Sequence, residues 1–291
     1  MTKRRVMYLE TGPAHFHNLV VSMWSLRKHC DVPILLYAWP QSYEVAKQIA
    51  EDDRLGIEEV IEWVPDWMGG GTTAQSECKQ QIIQTIDADV VLYLDADTLV
   101  VDSLWTLFEG AWHYGFCGAQ FNKWITTGKK ISKRIRNLRQ FPEIDKDLID
   151  RLLAIPWPAT NSGIFACDPK SPVIPKWYEY TVAARKSFIP DENCLYLMMP
   201  LFKPFGNMAV LEGGAWNSST HYQDPDLKDE DVVIWHFHGD SNTRPKKSPK
   251  GVELWWPAYQ ECVKENVGNI QSWRESVRNK HLDRLLRKRS L

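Results

Sequence analysis

No apolar run in the sequence approaches the ~18 residues of a membrane-spanning helix. Behind the basic start Thr2-Lys3-Arg4-Arg5 the apolar stretch is only Val6 to Leu9, too short for the core of a signal peptide. The six cysteines (Cys30, Cys78, Cys117, Cys167, Cys194, Cys262) form no CxxC pair, which fits neither a zinc site nor a disulfide framework. Neither sign of charge dominates: 35 Lys and Arg stand against 37 Asp and Glu, a net charge of −2, so any polyanion must be met by a local patch. There is no internal repeat and no linker. A soluble chain with no transmembrane segment, kept in a reducing cytoplasm, is the expectation. What is there is 291 residues, 44% of them hydrophobic, enough for a sizeable core. Fourteen tryptophans add flat faces suited to core packing and equally to sugar rings or bases.

The first hundred residues alternate β-rich runs with helical patterns, which predicts an α/β fold: a mostly parallel sheet flanked by helices. Val6 to Leu9, Ile34 to Tyr37, Val60 to Val64 and Val90 to Leu94 read as strands; Asn18 to His29, Ser42 to Asp52 and Ala74 to Ile86 read as helices. The Gly69-Gly70-Gly71 triplet matches no phosphate-binding pattern. Val90 to Leu94, apolar on both faces, is expected to be a central strand. After it the pattern is less regular. Thr160 to Ala166 and Val232 to Phe237 are strand candidates, and Lys176 to Ser187 and Asp191 to Met199 helix candidates. Residues 123–139 hold seven basic residues and no acid, with Ile131, Ile135 and Leu138 at helical spacing; a second basic helical pattern closes the chain from Trp273. Such helices suit anionic membrane surfaces, nucleic-acid backbones or plain solvent, and the sequence leaves all three open.

Chemistry concentrates at Asp95-Ala96-Asp97, directly after the central strand. Ligands of open α/β sheets bind at the carboxyl ends of strands, and two acids one residue apart there can hold a hard divalent cation. Asp95-Ala96-Asp97-Thr98 also resembles the DxDxT tract of haloacid-dehalogenase-like phosphatases, which implies a nucleophilic Asp95. Three apparent strand–helix units precede the tract, however, and the downstream GDxxxD of that family is missing, since Arg244 stands at its last position.

A longer ordered set carries another resemblance: Lys79, Val91-Leu92-Tyr93-Leu94-Asp95-Ala96-Asp97-Thr98, Asn161-Ser162-Gly163, Asp191-Glu192, Trp216-Asn217 and His236-Phe237-His238-Gly239. Together these resemble the GT-A fold nucleotide-sugar glycosyltransferases, most closely the glycogenin-like (family 8) retaining enzymes. The resemblance implies a Rossmann-like GT-A domain over 1–268, with a nucleotide-binding half (1–102) and a sugar and acceptor half (103–268); the residue pattern itself predicts a basic amphipathic helix over 269–291, with Ile270, Trp273, Val277, Leu282, Leu285 and Leu286 on its apolar side. It implies that Asp95, Asp97 and His236 hold manganese or magnesium and that a UDP-sugar is the donor. His238, with the same parity along an extended chain, competes with His236 for the metal role. Lys79, Asn161, Ser162, Gly163, Asn217 and Gly239 are implied to contact the donor, and the stretch Glu10 to Phe16 falls where the family binds uracil and ribose, with Glu10, Thr11, His15 and Phe16 as the candidates. At Asp191-Glu192 the family typically carries Asp-Gln, whereas the histo-blood-group transferases carry Asp-Glu. Glu192 is therefore a candidate nucleophile or ion-pair partner, and Asp191 a candidate sugar ligand. The acceptor stays open between a glycan, a lipid-linked glycan and a nucleic acid. Related lipooligosaccharide galactosyltransferases use a basic, aromatic tail at the membrane, and phage enzymes put sugars on modified bases. An inactive sugar-binding protein is the reading of another class.

Overall fold

The computed structural model describes residues 2–66, 73–125, 129–220, 226–238, 242–244, 246–277 and 279–289. In chain order the elements are β1 (Arg4–Glu10), α1 (Phe16–Arg27), β2 (Ile34–Ala38), α2 (Pro40–Ala50), β3 (Ile57–Glu62), α3 (Thr73–Ile83), β4 (Val90–Leu94) and β5 (Thr98–Val100). Next come α4 (Trp105–Tyr114), β6 (Phe116–Trp124), α5 (Lys129–Asn137), α6 (Lys146–Ala154), β7 (Pro158–Cys167), α7 (Val173–Ala183), α8 (Pro190–Phe202) and β8 (Ala209–Leu211). The chain ends with β9 (Ser218–Ser219), β10 (Ile234–His236), α9 (Pro249–Lys264), α10 (Ile270–Trp273) and α11 (Lys280–Arg289). The class is α/β, with a mostly parallel seven-stranded central sheet flanked by helices. The Gly69-Gly70-Gly71 triplet lies outside the described residues.

The chain forms two compact units. One comprises residues 5–64, 94–104 and 217–291. Its sheet strands run β3-β2-β1, paired in parallel with Val6 opposite Ile34 and Leu35 opposite Glu59. All five residues of β2 are buried, as its unbroken apolar run requires. β3 begins three residues before its expected start because it is an outer strand, where Glu58 and Glu59 project to solvent without cost. A small second sheet, β5-β10-β9, lies in the same unit.

The single helix expected over 269–291 is instead two, α10 (Ile270–Trp273) and α11 (Lys280–Arg289), and α10 is itself set off from α9. Asn266, Gly268 and Asn269 all have left-handed backbone (φ 52°, 58° and 52°), which separates α9 from the short α10. A Cβ at Gly268 would stand about 3.1 Å from Val20 and 3.2 Å from Ile49 and Leu55, so only glycine fits there. Ile270, Trp273, Val277, Leu282 and Leu285 are buried as the apolar pattern predicts, whereas Leu286, expected on the same side, is 37% exposed.

The other unit comprises residues 1–4, 65–93 and 105–216 and contains the strand order β4-β7-β6-β8. Its core stacks Phe165 between Tyr93 and Phe116, with Trp177 edge-on to both phenylalanines. The β6–β7 ladder shifts register twice, between Gln120 and Trp124 and, more sharply, between Gly118 and Gln120: Gly118 pairs with Phe165 and Gln120 with Thr160, so Ala119 alone faces residues 161–164. This bulge carries Asn161, Ser162 and Gly163, the tract the sequence reads as a ligand-facing loop. It lies inside a fully buried strand, and a bulge is how a strand re-aims side chains. Close packing also governs Gly110 on α4, where a Cβ would come 2.5 Å from Cys117 Sγ. We expect Gly110→Ala to destabilise the protein by about 1–2 kcal/mol, the overpacking cost exceeding the helix-propensity gain. A melting temperature equal to or above that of the native chain would contradict this.

Candidate active site

The first constellation belongs to the unit containing the small sheet. Asp95 follows β4 directly, and the turn through Asp97 leads into β5. β5 pairs antiparallel with β10, with Thr98 opposite His236, and Phe237 N–H donates to the Asp97 carbonyl at 2.8 Å. That pairing carries His236 to the two acids across a sequence separation no local pattern spans. His236 Nε2 lies 3.1 Å from Asp97 Oδ1 and 3.6 Å from Asp95 Oδ2. The turn is pinned by the Thr98 hydroxyl, which donates to the Asp95 carbonyl at 2.9 Å and sits 2.7 Å from the Ser22 hydroxyl.

His236 is buried, and its Nδ1 lies 3.1 Å from Oδ1 of fully buried Asn217. Burial alone pulls the imidazole toward neutrality, but the Asp97 and Asp95 carboxylates outweigh it and push its pKa up to about 9. Asp95, Asp97 and His236 each offer one ligand atom within 4.8 Å of the others. Two carboxylate oxygens and one ring nitrogen, with the other ring nitrogen facing an amide oxygen, fit a hard or borderline divalent cation such as manganese or magnesium. The His238 ring packs on that of His236, centroids 3.8 Å apart, and His238 is not among the three clustered groups.

The second constellation is inside the other unit. α8 starts from Ile189, a β-branched residue in left-handed backbone (φ 51°, ψ 64°), followed by Pro190. This is a costly conformation for isoleucine. It puts Asp191 and Glu192 in the first helical turn, where the dipole favours carboxylates. Trp177 Nε1–H donates to the Asp191 carbonyl at 2.8 Å. Asp191 Oδ2 accepts from Ser162 Oγ at 2.6 Å and lies 2.9 Å from Lys79 Nζ. Lys79 also donates to the Ser162 carbonyl at 3.0 Å and stands 4.9 Å from the centre of the Tyr93 ring. Glu192 Oε2 accepts from Asn161 Nδ2 at 2.8 Å, and Oε1 accepts from Arg134 Nη2 at 2.8 Å. Asn161 Oδ1 accepts from Gly163 N–H at 2.7 Å, closing the bulge.

Lys79, Asn161, Ser162, Asp191 and Glu192 are all buried, so five side chains from α3, β7 and α8 meet in one network. Asp191 Oδ1 is buried with no hydrogen-bond partner among the described residues. The Tyr196 phenol, one turn along α8 from Glu192, is raised well above its ordinary value, first by burial and then by the Glu192 charge. Sequence reasoning missed Arg134, which it placed only within a basic patch. The available signal was its position three residues after buried Ile131, at the edge of the apolar stripe of α5.

Glu10 ends β1, and its carboxyl is buried. Oε1 accepts from Gly12 N–H at 2.9 Å, while Oε2 has no partner among the described residues. The carbonyl of neighbouring Thr11 accepts from Gln41 Nε2 at 2.7 Å. Burial raises the Glu10 pKa from 4.5 to about 7. The folded state therefore prefers the protonated acid. Its stabilising effect is complete below pH 4.5, where the unfolded chain is protonated too, and is lost as pH rises through 7. At 1.36 kcal/mol per pH unit the loss is roughly 3 kcal/mol. We expect the melting temperature of the native chain to fall between pH 4.5 and 7 relative to Glu10→Gln; parallel curves would contradict it. Gly239 lies outside the described residues.

No protein-family model matches the sequence, and no curated protein matches it. Solved structures do. The glycosyltransferase GlyE of Streptococcus pneumoniae TIGR4 superposes with a TM-score of 0.56 at 18% identity, covering 92% of this chain and 64% of GlyE. The bifunctional glycosyltransferase WbbM gives 0.58 at 14% identity, covering 90% of this chain and 51% of its own. The galactosyltransferase LgtC, solved with donor and acceptor sugar analogs, gives 0.58 at 15% identity, with 88% and 95% covered. The chain thus spans less than two thirds of GlyE and about half of WbbM. At these identities the likeness is one of fold: the chain has the GT-A glycosyltransferase fold.

Proposed function

We propose that this protein is a metal-dependent, retaining glycosyltransferase that moves a sugar, a hexose in the reading we favour, from a UDP-linked donor to a glycan or lipid-linked glycan. The observation that carries the proposal is the Asp95–Asp97–His236 cluster following β4 in a chain of this fold. These three residues would hold manganese or magnesium, with Asn217 orienting the His236 ring. When bound, the ion neutralises the donor diphosphate and stabilises the charge developing on the departing nucleotide.

The second constellation suits the sugar on charge grounds. Asp191 is matched by Lys79 and Glu192 by Arg134, so the network carries no excess charge and presents hydrogen-bonding groups to an uncharged ring. The unpartnered Asp191 Oδ1 is a ready acceptor for a sugar hydroxyl, and Lys79, Asn161, Ser162 and Gly163 complete that surface. Glu192 is the group to face the anomeric carbon, as nucleophile or as ion-pair partner of an oxocarbenium-like state. Glu10, with an unpartnered carboxyl oxygen, and Thr11 would meet the nucleoside. The tail bears on the acceptor. With Leu282 and Leu285 buried, α11 retains mainly basic side chains for an anionic partner, so its contact would rest on charge more than on apolar insertion.

The test is nucleotide release from UDP-, GDP- and dTDP-sugars with manganese, native chain beside Asp97→Asn. Selective release by the native chain alone supports the proposal. No release from any donor, with no rise in melting temperature on adding UDP and manganese, overturns it.

A further inference from the structure

Of the five basic residues on α5, Lys129, Lys130, Lys133 and Arg136 are exposed and Arg134 is turned inward. Its side chain is 22% exposed and that of Glu192 10%, at a separation of 2.8 Å. The guanidinium carbon stands 6.0 Å from the centre of the Phe188 ring, just before the strained Ile189. With Asn161 on Oε2 and Arg134 on Oε1, both oxygens of Glu192 are held and the plane of the carboxylate is set. Stability does not account for such an arrangement, because a buried ion pair contributes little over apolar residues of similar volume.

We infer that Arg134 is a positioning residue for the reaction: its hydrogen bond to Oε1 holds the Glu192 carboxylate in the orientation in which it meets the sugar, and so ties the basic helix α5 to the chemical step. The inference rests on the proposed role of Glu192. Arg134 is thereby committed to the interior, and the exposed lysines of α5 are the ones left for an anionic partner.

The experiment measures donor cleavage with manganese for the native chain, Arg134→Met, Arg134→Lys, Glu192→Gln and Arg134→Met/Glu192→Gln, each checked for folding by circular dichroism. Arg134→Met is expected to lower kcat roughly 10²-fold with donor KM nearly unchanged, the signature of lost orientation. Arg134→Lys should recover part of the loss, since an ammonium supplies the charge without the planar fork. In the Glu192→Gln background, removing Arg134 should change kcat by less than about twofold, because both residues act through one carboxylate. Should Arg134→Met fail to fold, Arg134→Lys in the two backgrounds makes the same comparison. Equal losses in both backgrounds, a rise in KM with kcat retained, or full activity of Arg134→Met overturns the inference while leaving the transferase reading intact. A native chain that cleaves no nucleotide sugar overturns both.

Discussion

Asp97→Asn is expected to lower donor cleavage by roughly 10³-fold, about 4 kcal/mol of transition-state stabilisation. The size follows from the site: of its three ligand atoms, the Asp97 oxygen makes the shorter approach to His236, and an amide oxygen brings no charge to a divalent cation. In the metal-free protein the same substitution relieves a like charge beside Asp95 but also removes the 3.1 Å carboxylate partner of His236, so the two effects on stability oppose each other and circular dichroism shows whether the variant is folded. Folding and function are therefore separable in one variant. Manganese with UDP should raise the native melting temperature by mass action and leave that of Asp97→Asn unmoved. An Asp97→Asn protein that keeps both the thermal shift and the turnover would show that the ion, if used, is held elsewhere.

Lys79→Met carries the second large effect. Lys79 and Asp191 are both buried, and among the described residues removing the ammonium leaves a carboxylate at 4% exposure with Ser162 and the start of α8 as its remaining polar partners. Breaking a buried pair from one side costs about 3–5 kcal/mol. For a chain of this size that lowers the melting temperature by roughly 10 °C. Lys79→Met/Asp191→Asn should regain much of the loss, because the uncompensated charge is gone. Neither variant is expected to transfer sugar normally. If Lys79→Met melts like the native chain, the pair is solvated and its place in the sugar network is wrong.

Several of these features are legible without coordinates. Val90 to Leu94 reads as a central strand because five consecutive apolar residues suit a strand buried on both faces, and all five are buried in β4. Asp95 and Asp97 stand out for the same reason reversed: two charges at the end of such a run need an explanation in chemistry. The apolar positions of the tail are largely legible too: of Ile270, Trp273, Val277, Leu282, Leu285 and Leu286, all but Leu286 are buried.

Other features depend on contacts that no local pattern encodes. The break between α9 and α10 is set by Gly268 closing on Val20, Ile49 and Leu55, residues more than two hundred positions earlier. The bulge in β7 appears only when β6 supplies a ladder to fall out of register with. Arg134 looks like any member of a basic helix until α8 brings Glu192 to it.

The sequence by itself determined the α/β class, the central strand and the two acids that end it, because burial on both faces and like charges placed together leave few alternatives in one dimension. Only the tertiary structure decided that His236 stands 3.1 Å from Asp97, that Asn161 and Arg134 share the carboxylate of Glu192, and that Asp191 is paired with Lys79. Those contacts join residues from different elements, and the free energy that selects them lies in packing and charge pairing between segments far apart along the chain.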